Sequence, residues 1–147
     1  MTSSGDLAMS NCIFCRIVNS QTPAFRVCED EQTVVFMDIN PVTDGHTLVI
    51  TKEHFANLYE ATPDALRAVM AMAKRVAHAI QRVLHPEGLM VFQLNGAAAG
   101  QSVFHYHLHL MPRAAGEPLA LHARRPGDPA RLQQLAEAIA AAVDGAD

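Results

Sequence analysis

Phe104-His105-Tyr106-His107-Leu108-His109-Leu110 alternates imidazoles with large apolar side chains, and this alternation decides how the chain is read. On an extended strand successive side chains point to opposite faces. His105, His107 and His109 therefore share one face, while Tyr106, Leu108 and Leu110 share the other and can enter a core. Neighbouring imidazoles on such a face start about 7 Å apart, twice the rise per residue. That spacing lets two or three rings address one phosphate group without touching. A neutral imidazole, with an ordinary pKa near 6.5, is both a fair nucleophile and a potential acid at neutral pH. Its nitrogen can attack phosphorus and hold a covalent intermediate, which splits one hard displacement into two easier ones. Taken alone, the pattern fits a metal patch or carbonyl-satisfied core histidines equally well.

The flanking sequence supplies the strand's partners. The strand is expected from Val103 to Met111, closed by Pro112 and preceded by a loop of small residues, Asn95 to Ser102. Gly100 allows close backbone approach there, and Ser102 adds a hydroxyl. Met90 to Leu94, His46 to Thr51 and the pair Arg26 to Glu29 and Thr33 to Met37 are further β-prone runs; the acidic turn in the last pair signals a hairpin. Thr62-Pro63 is an N-cap followed by proline at the first helical position. Leu66, Val69, Met70, Ala73, Val76, Ala77, Ile80 and Leu84 then follow helical spacing up to His85-Pro86. Asp128-Pro129 repeats the start signal, with Leu132, Leu135, Ala136, Ile139 and Val143 as the stripe of a last helix. A short helical turn covers Cys12 to Val18. Strands and helices do not alternate as βαβ units, so the class is α+β, an antiparallel sheet packed against helices.

The 147 residues fit one domain, organised as a tail over 1–11, a body over 12–113 and a completing loop and helix over 114–147. Half of the residues are hydrophobic, enough for a packed core. A net charge of -4 gives no basic footprint for nucleic acid. No apolar run reaches the roughly 20 residues needed to span a bilayer, and the start carries no export signal, so neither nucleic acid nor membrane is an expected partner. Three cysteines, two of them in Cys12-Ile13-Phe14-Cys15, indicate a reduced, cytoplasmic compartment rather than a disulfide framework. The Cys-x-x-Cys has zinc-knuckle spacing, but a redox pair or two buried thiols would also fit it. Cys28 reads as a small core residue, and Arg113 as a surface arginine. His78, His85 and His122 read as solvated.

Gly100-Gln101-Ser102-Val103-Phe104-His105-Tyr106-His107-Leu108-His109-Leu110-Met111 resembles the signature of the histidine triad superfamily of nucleotide-binding hydrolases and transferases. A second block, Asp38-Ile39-Asn40-Pro41 followed by Gly45-His46-Thr47-Leu48-Val49-Ile50, resembles the same family upstream. The likeness runs from about Cys12 to Arg113. It implies a five-stranded antiparallel sheet with one long helix and a C-terminal helix, and a two-fold homodimer. It implies that His107 is the nucleophile, that His109 contacts the α-phosphate, and that His46 lies beside the nucleophile. Ser102 and the backbone of Gly100 and Gln101 would sit near the phosphate and leaving group. Asp38 would accept from ribose hydroxyls, and Ile13, Phe14, Ile17, Phe36 and Ile39 would form the slot for the base. The family's polar residue at the end of the fourth strand falls at Leu94 here, with Asn95 next to it, which makes Asn95 the weaker ribose or phosphate contact. Bacterial members share the N-terminal Cys-x-x-Cys, and some hold zinc with it plus two histidines; the matching set is Cys12, Cys15, His54 and His105, a structural site with no metal needed for chemistry. The implied activity is cleavage of a phosphoramidate or phosphoanhydride at the α-phosphorus of a purine mononucleotide conjugate. The other readings are a dinucleoside polyphosphate hydrolase and a nucleotide-binding adaptor without turnover.

Overall fold

The hairpin forms where the sequence places it. Strands β1 (Arg26–Glu29) and β2 (Thr33–Met37) pair antiparallel, with a bulge between Arg26 and Cys28. Asp30 holds their turn by accepting from the backbone N–H groups of Gln32 and Thr33 and from the Thr33 hydroxyl. The computed structural model describes residues 11–121 and 124–144. Apart from Asn11 the expected tail lies outside the described residues, as does His122. Strand β3 (Thr47–Thr51) adds to β2, β5 (His107–Arg113) to β3, and β4 (Gly88–Phe92) to the outer side of β5. All four pairings are antiparallel, giving the order β1-β2-β3-β5-β4.

Cross-strand partners share a face of the sheet, so the register separates two layers. One face carries Val35, Met37, Val49, Leu108 and Leu110. Helices α2 (Pro63–Leu84) and α3 (Pro129–Asp144) cover it. The other face carries Val34, Phe36, Leu48 and Ile50 under α1 (Ile13–Val18), whose Phe14 and Ile17 close a second, smaller apolar cluster. His109 stands opposite Leu48 and His107 opposite Ile50, so both project on this second face, away from the long helix. Burial of Tyr106, Leu108 and Leu110 agrees with the alternation.

Helix starts and stops follow their chemistry. The Thr62 hydroxyl accepts from the Ala65 N–H, Pro63 occupies the first turn, and His85 ends α2 in the left-handed conformation. The buried face of α2 differs from the expected stripe. It runs through Ala65, Val69, Met72, Ala73, Val76, Ala79 and Ile80, while Met70 is 56% exposed and Ala77 only half-buried. Met70 and Ala77 each sit one residue, about 100° of rotation, off the buried line. The stripe expected on α3 is buried throughout. His78 and His85 are exposed as expected, and Cys28 packs against the main core. No helix among the described residues is long and apolar enough to cross a membrane.

Three strands differ in extent from expectation, β3 only in beginning at Thr47 rather than His46. β4 lies two residues earlier than Met90 to Leu94. β5 begins at His107 rather than Val103 and continues through Pro112 to Arg113. The late start has a simple cause: the ladder between β3 and β5 begins at Ile50↔His107, and β3 itself stops at Thr51. Tyr106 instead donates its N–H to Phe55 O at 2.7 Å. Pro112 is tolerated because β3 pairs with β5 only as far as Leu110, leaving β4 as its single neighbour there.

Gly45, just before His46, has φ +91, and a Cβ there would lie 2.4 Å from Leu84 Cδ1 and 3.1 Å from Pro112 Cγ. Gly45→Ala combines a left-handed backbone with two clashes. It is expected to lower the unfolding free energy by about 2 kcal/mol, measurable by urea denaturation.

Candidate active site

Two imidazoles from β5 and one from the residue before β3 meet under α1. The Cys12 side chain caps α1 by accepting from the Cys15 N–H, and this short helix lays Phe14 edge-on to His107, ring centroids 5.1 Å apart. The rings of His107 and His109 converge to 4.9 Å, closer than the strand spacing of their backbones, because Phe92 of β4 stacks flat on His109 at 4.3 Å. Phe92 was not singled out in the sequence; its register opposite His109 is the signal that would have found it.

The hydrogen bonds assign a proton to each ring. The Val42 N–H donates to His46 Nδ1 at 3.2 Å, so the His46 proton lies on Nε2. That nitrogen is 2.9 Å from His109 Nδ1 and donates to it, which leaves the His109 proton on Nε2. His107 Nδ1 is 2.7 Å from the carbonyl of His105 and donates to it, which leaves Nε2 with its lone pair. One ring therefore offers a nucleophilic lone pair and its neighbour an N–H donor. Burial keeps the set neutral: it holds the His46 imidazole down at about 4 and His109 at about 2, and lowers His107 as well. For His109 the neighbouring His107 and His46 push the same way.

This has a consequence for stability. His46 sits at about 4 when folded against 6.5 ordinarily, so the unfolded chain binds the extra proton between those values. Its contribution is complete above about pH 6.5 and is lost as the pH falls toward 4, by about 1.4 kcal/mol per pH unit. From this residue alone stability is expected to fall by roughly 2 kcal/mol between pH 6.5 and 5. His46→Gln should flatten that slope in thermal melts.

The rings open onto a cavity of about 570 Å³. Ile13, Phe14, Ile17, Phe36 and Ile39 line it, together with Asp38, Gly100, Gln101, Ser102, His107 and His109. His46 lies fully buried behind His109. Asp38 is buried; its Oδ1 accepts from the Asn40 N–H at 2.9 Å and its Oδ2 lies 3.6 Å from His46 Nε2. The Gln101 side chain is a staple: it accepts from the Gly96 N–H and donates to Ala56 O and Val103 O. Asn95 is not brought into the cavity. It accepts from the Leu58 N–H and pairs with Gln93, tying two loops together outside the site. Arg113 also lies elsewhere, paired with Glu117. Arg124 does line the cavity, and nothing in its polar, aperiodic surroundings marked it in the sequence.

His105 stands two residues before His107, outside β5, and Phe14 lies edge-on to its ring as well, at 5.9 Å. His105 lies fully buried among Cys12, Cys15 and His54, and the ligand atoms of the four fall within 4.8 Å of one another. The sulfur to Nδ1 distances are 3.4 Å for Cys12 and His105, 3.5 Å for Cys15 and His105, and 3.2 Å for Cys15 and His54. A tetrahedral zinc ion with ordinary bond lengths separates sulfur from nitrogen by about 3.6 Å, so this donor set fits the ion. His105 Nε2 donates to Thr51 O at 2.6 Å, which frees Nδ1 toward the sulfurs, the outer bond expected of a metal-binding imidazole. Cys15 stays a thiol without a cation, pushed up to about 12 chiefly by burial, so a metal must displace its proton. Asp38, His46 and His109 also converge. Their imidazole nitrogens, at 2.9 Å, are closer than the roughly 3.3 Å between two ligands of one tetrahedral zinc, and a hydrogen bond accounts for them.

The HIT domain family matches residues 19–116 of this chain. The chain belongs to that family. "Protein hit" of Bacillus subtilis is 47% identical over 103 residues, 70% of this chain and 71% of that one. A protein of Arabidopsis thaliana named adenylylsulfatase HINT3 is 34% identical over 104 residues, 71% of this chain and 53% of its own length. The crystal structure of a zinc-bound histidine triad family protein from Mycobacterium smegmatis superposes with a TM-score of 0.83 at 38% identity, covering 95% of this chain and 99% of that one.

Proposed function

We propose that the protein hydrolyses purine nucleotide conjugates at the α-phosphorus, releasing the mononucleotide through a nucleotidyl-His107 intermediate. The observation that carries this is the proton assignment: His107 lines the cavity, and its Nε2 keeps the lone pair because Nδ1 donates to the His105 carbonyl. Nε2 attacks phosphorus, and the bond to the leaving oxygen or nitrogen breaks with its electron pair on that atom, which takes a proton from water beside Ser102. The ring is then an imidazolium, and its Nδ1–H to the carbonyl at 2.7 Å becomes a stronger, charge-assisted bond. His109 Nε2–H stabilises the non-bridging oxygens as charge shifts onto them. Water next attacks phosphorus, the P–N bond breaks with its pair returning to Nε2, and the proton this water sheds neutralises the hydroxide left by the first step. Asp38 would hold the ribose hydroxyls and the Phe14 side of the cavity the base. The name adenylylsulfatase on the plant relative is in keeping with an adenylyl group as the part retained.

Zinc on Cys12, Cys15, His54 and His105 belongs to the same proposal. Bound there it would tie α1 to the residue whose carbonyl orients the nucleophile. A homodimer joined along β4 is supported by that strand's outer position in the sheet and by the exposure of Val91 and Met70. Light scattering should then give twice the 15.9 kDa chain mass. Parallel assays with an adenosine phosphoramidate and a diadenosine polyphosphate test the reaction. Release of AMP from the phosphoramidate at the higher kcat/KM is the expected result; preference for the polyphosphate would select the second hydrolase reading, and no release from either would remove both.

A further inference from the structure

Arg124 reaches into the cavity from the segment that precedes α3. Its Nη2 donates to Asp38 Oδ2 at 2.9 Å. The segment is anchored just beyond it: the Gly127 N–H donates to Ile39 O at 2.8 Å, and Arg131 pairs with Asp44. Gly127 also sits so close to Pro41 that a Cβ would lie 3.0 Å from that ring. The backbone is thus fixed on the loop that carries Asp38, while the guanidinium, with its side chain about one-third exposed, can turn at the cavity's rim.

Two features make this ion pair more than a surface contact. Both oxygens of Asp38 are already engaged, Oδ1 by the Asn40 N–H and Oδ2 by Arg124. A ribose diol that brings two O–H donors to this carboxylate must compete with the guanidinium. Among the described residues lining the cavity, moreover, Arg124 is the one arginine or lysine. A phosphate entering the site finds fixed positive charge nowhere else in it. A planar guanidinium freed from one carboxylate is well shaped to take two phosphate oxygens instead.

Resting on the nucleotide reading above, we propose that Arg124 is a specificity-determining residue which contacts the substrate: ribose hydroxyls displace it from Asp38, and it then pairs with the phosphate. Sugar and charge are in this way read together, and the site favours ribonucleotides over both nucleosides and nucleotides without the diol.

The test is equilibrium binding of adenosine, AMP and 2′,3′-dideoxy-AMP to the wild-type protein and to Arg124→Ala, with Arg124→Gln as a second variant that keeps amide donors but no charge. Thermal melts confirm that each variant is folded. Both variants should bind AMP at least tenfold more weakly. Adenosine and the dideoxy nucleotide should change less than threefold, since neither brings the diol and the phosphate together. Equal weakening for adenosine and AMP would mark Arg124 as merely structural and overturn the proposal, as would unchanged AMP affinity. Equal weakening for AMP and its dideoxy analogue would overturn the exchange at Asp38. If the wild-type protein bound none of the three, the nucleotide reading itself would fall, a result distinct from all of these.

Discussion

His107→Ala is expected to lower kcat for phosphoramidate hydrolysis by at least about 10³-fold while AMP affinity stays within roughly threefold. The asymmetry follows from the proton positions. His109 cannot substitute as nucleophile, because its Nδ1 accepts from His46 and its Nε2 carries the proton. Binding should be spared because the ribose contact proposed for Asp38 and the apolar wall contributed by Phe36 and Ile39 do not depend on His107. Removing the donor instead, in His109→Ala, should slow the reaction by about 10² to 10³, the usual loss for one stabilising hydrogen bond to developing charge. It should also loosen Phe92, which loses its stacking partner. Single-turnover quenching separates the two variants: a nucleotidyl-protein adduct should form slowly in His109→Ala and not at all in His107→Ala. Turnover close to wild type in His107→Ala would end the assignment of the nucleophile.

Much of this site was legible in the sequence because it is built by local rules. Alternation along β5 places His107 and His109 on one face, and the Thr62-Pro63 pair starts α2 where it was expected. What could not be read was whatever depends on where a partner element ends. His105 leaves the sheet because β3 stops at Thr51 and Tyr106 bonds to Phe55, and neither fact is written in residues 103–106 themselves. The departure serves the architecture, since it divides the three histidines between two jobs: His105 goes to the cysteines, and its carbonyl stays behind to orient His107. Asn95 shows the reverse case, a polar residue in a suggestive place whose side chain is taken up by a neighbouring loop. Arg124 was invisible because its partner lies 86 residues away and its own segment has no period.

Loss of the Cys–His cluster should have the largest effect on stability. The protein purified without chelator is expected to carry about one zinc per chain, and Cys15→Ala to carry none. A ligand held at 1,000 times its dissociation constant stabilises the folded state by about 4 kcal/mol, and a domain of this size shifts its Tm by roughly 2–4 °C per kcal/mol. Metal removal should therefore lower the Tm by about 10 °C or more near neutral pH, and the difference should shrink in acid, where protons compete with the ion for Cys15. The melt of Cys15→Ala should no longer respond to added zinc. A second readout separates a mere staple from a part that positions the nucleophile. The His105 carbonyl holds His107 Nδ1–H, and Thr51 O holds His105 in turn. Slackening that chain should depress kcat more than it raises KM, whereas general destabilisation assayed well below the Tm would leave both near wild type. If the wild-type protein carried no zinc after expression in zinc-replete medium, and Cys15→Ala melted at the same temperature, the four donors would be only neighbouring core residues, and the His105 carbonyl would orient His107 without help from a metal.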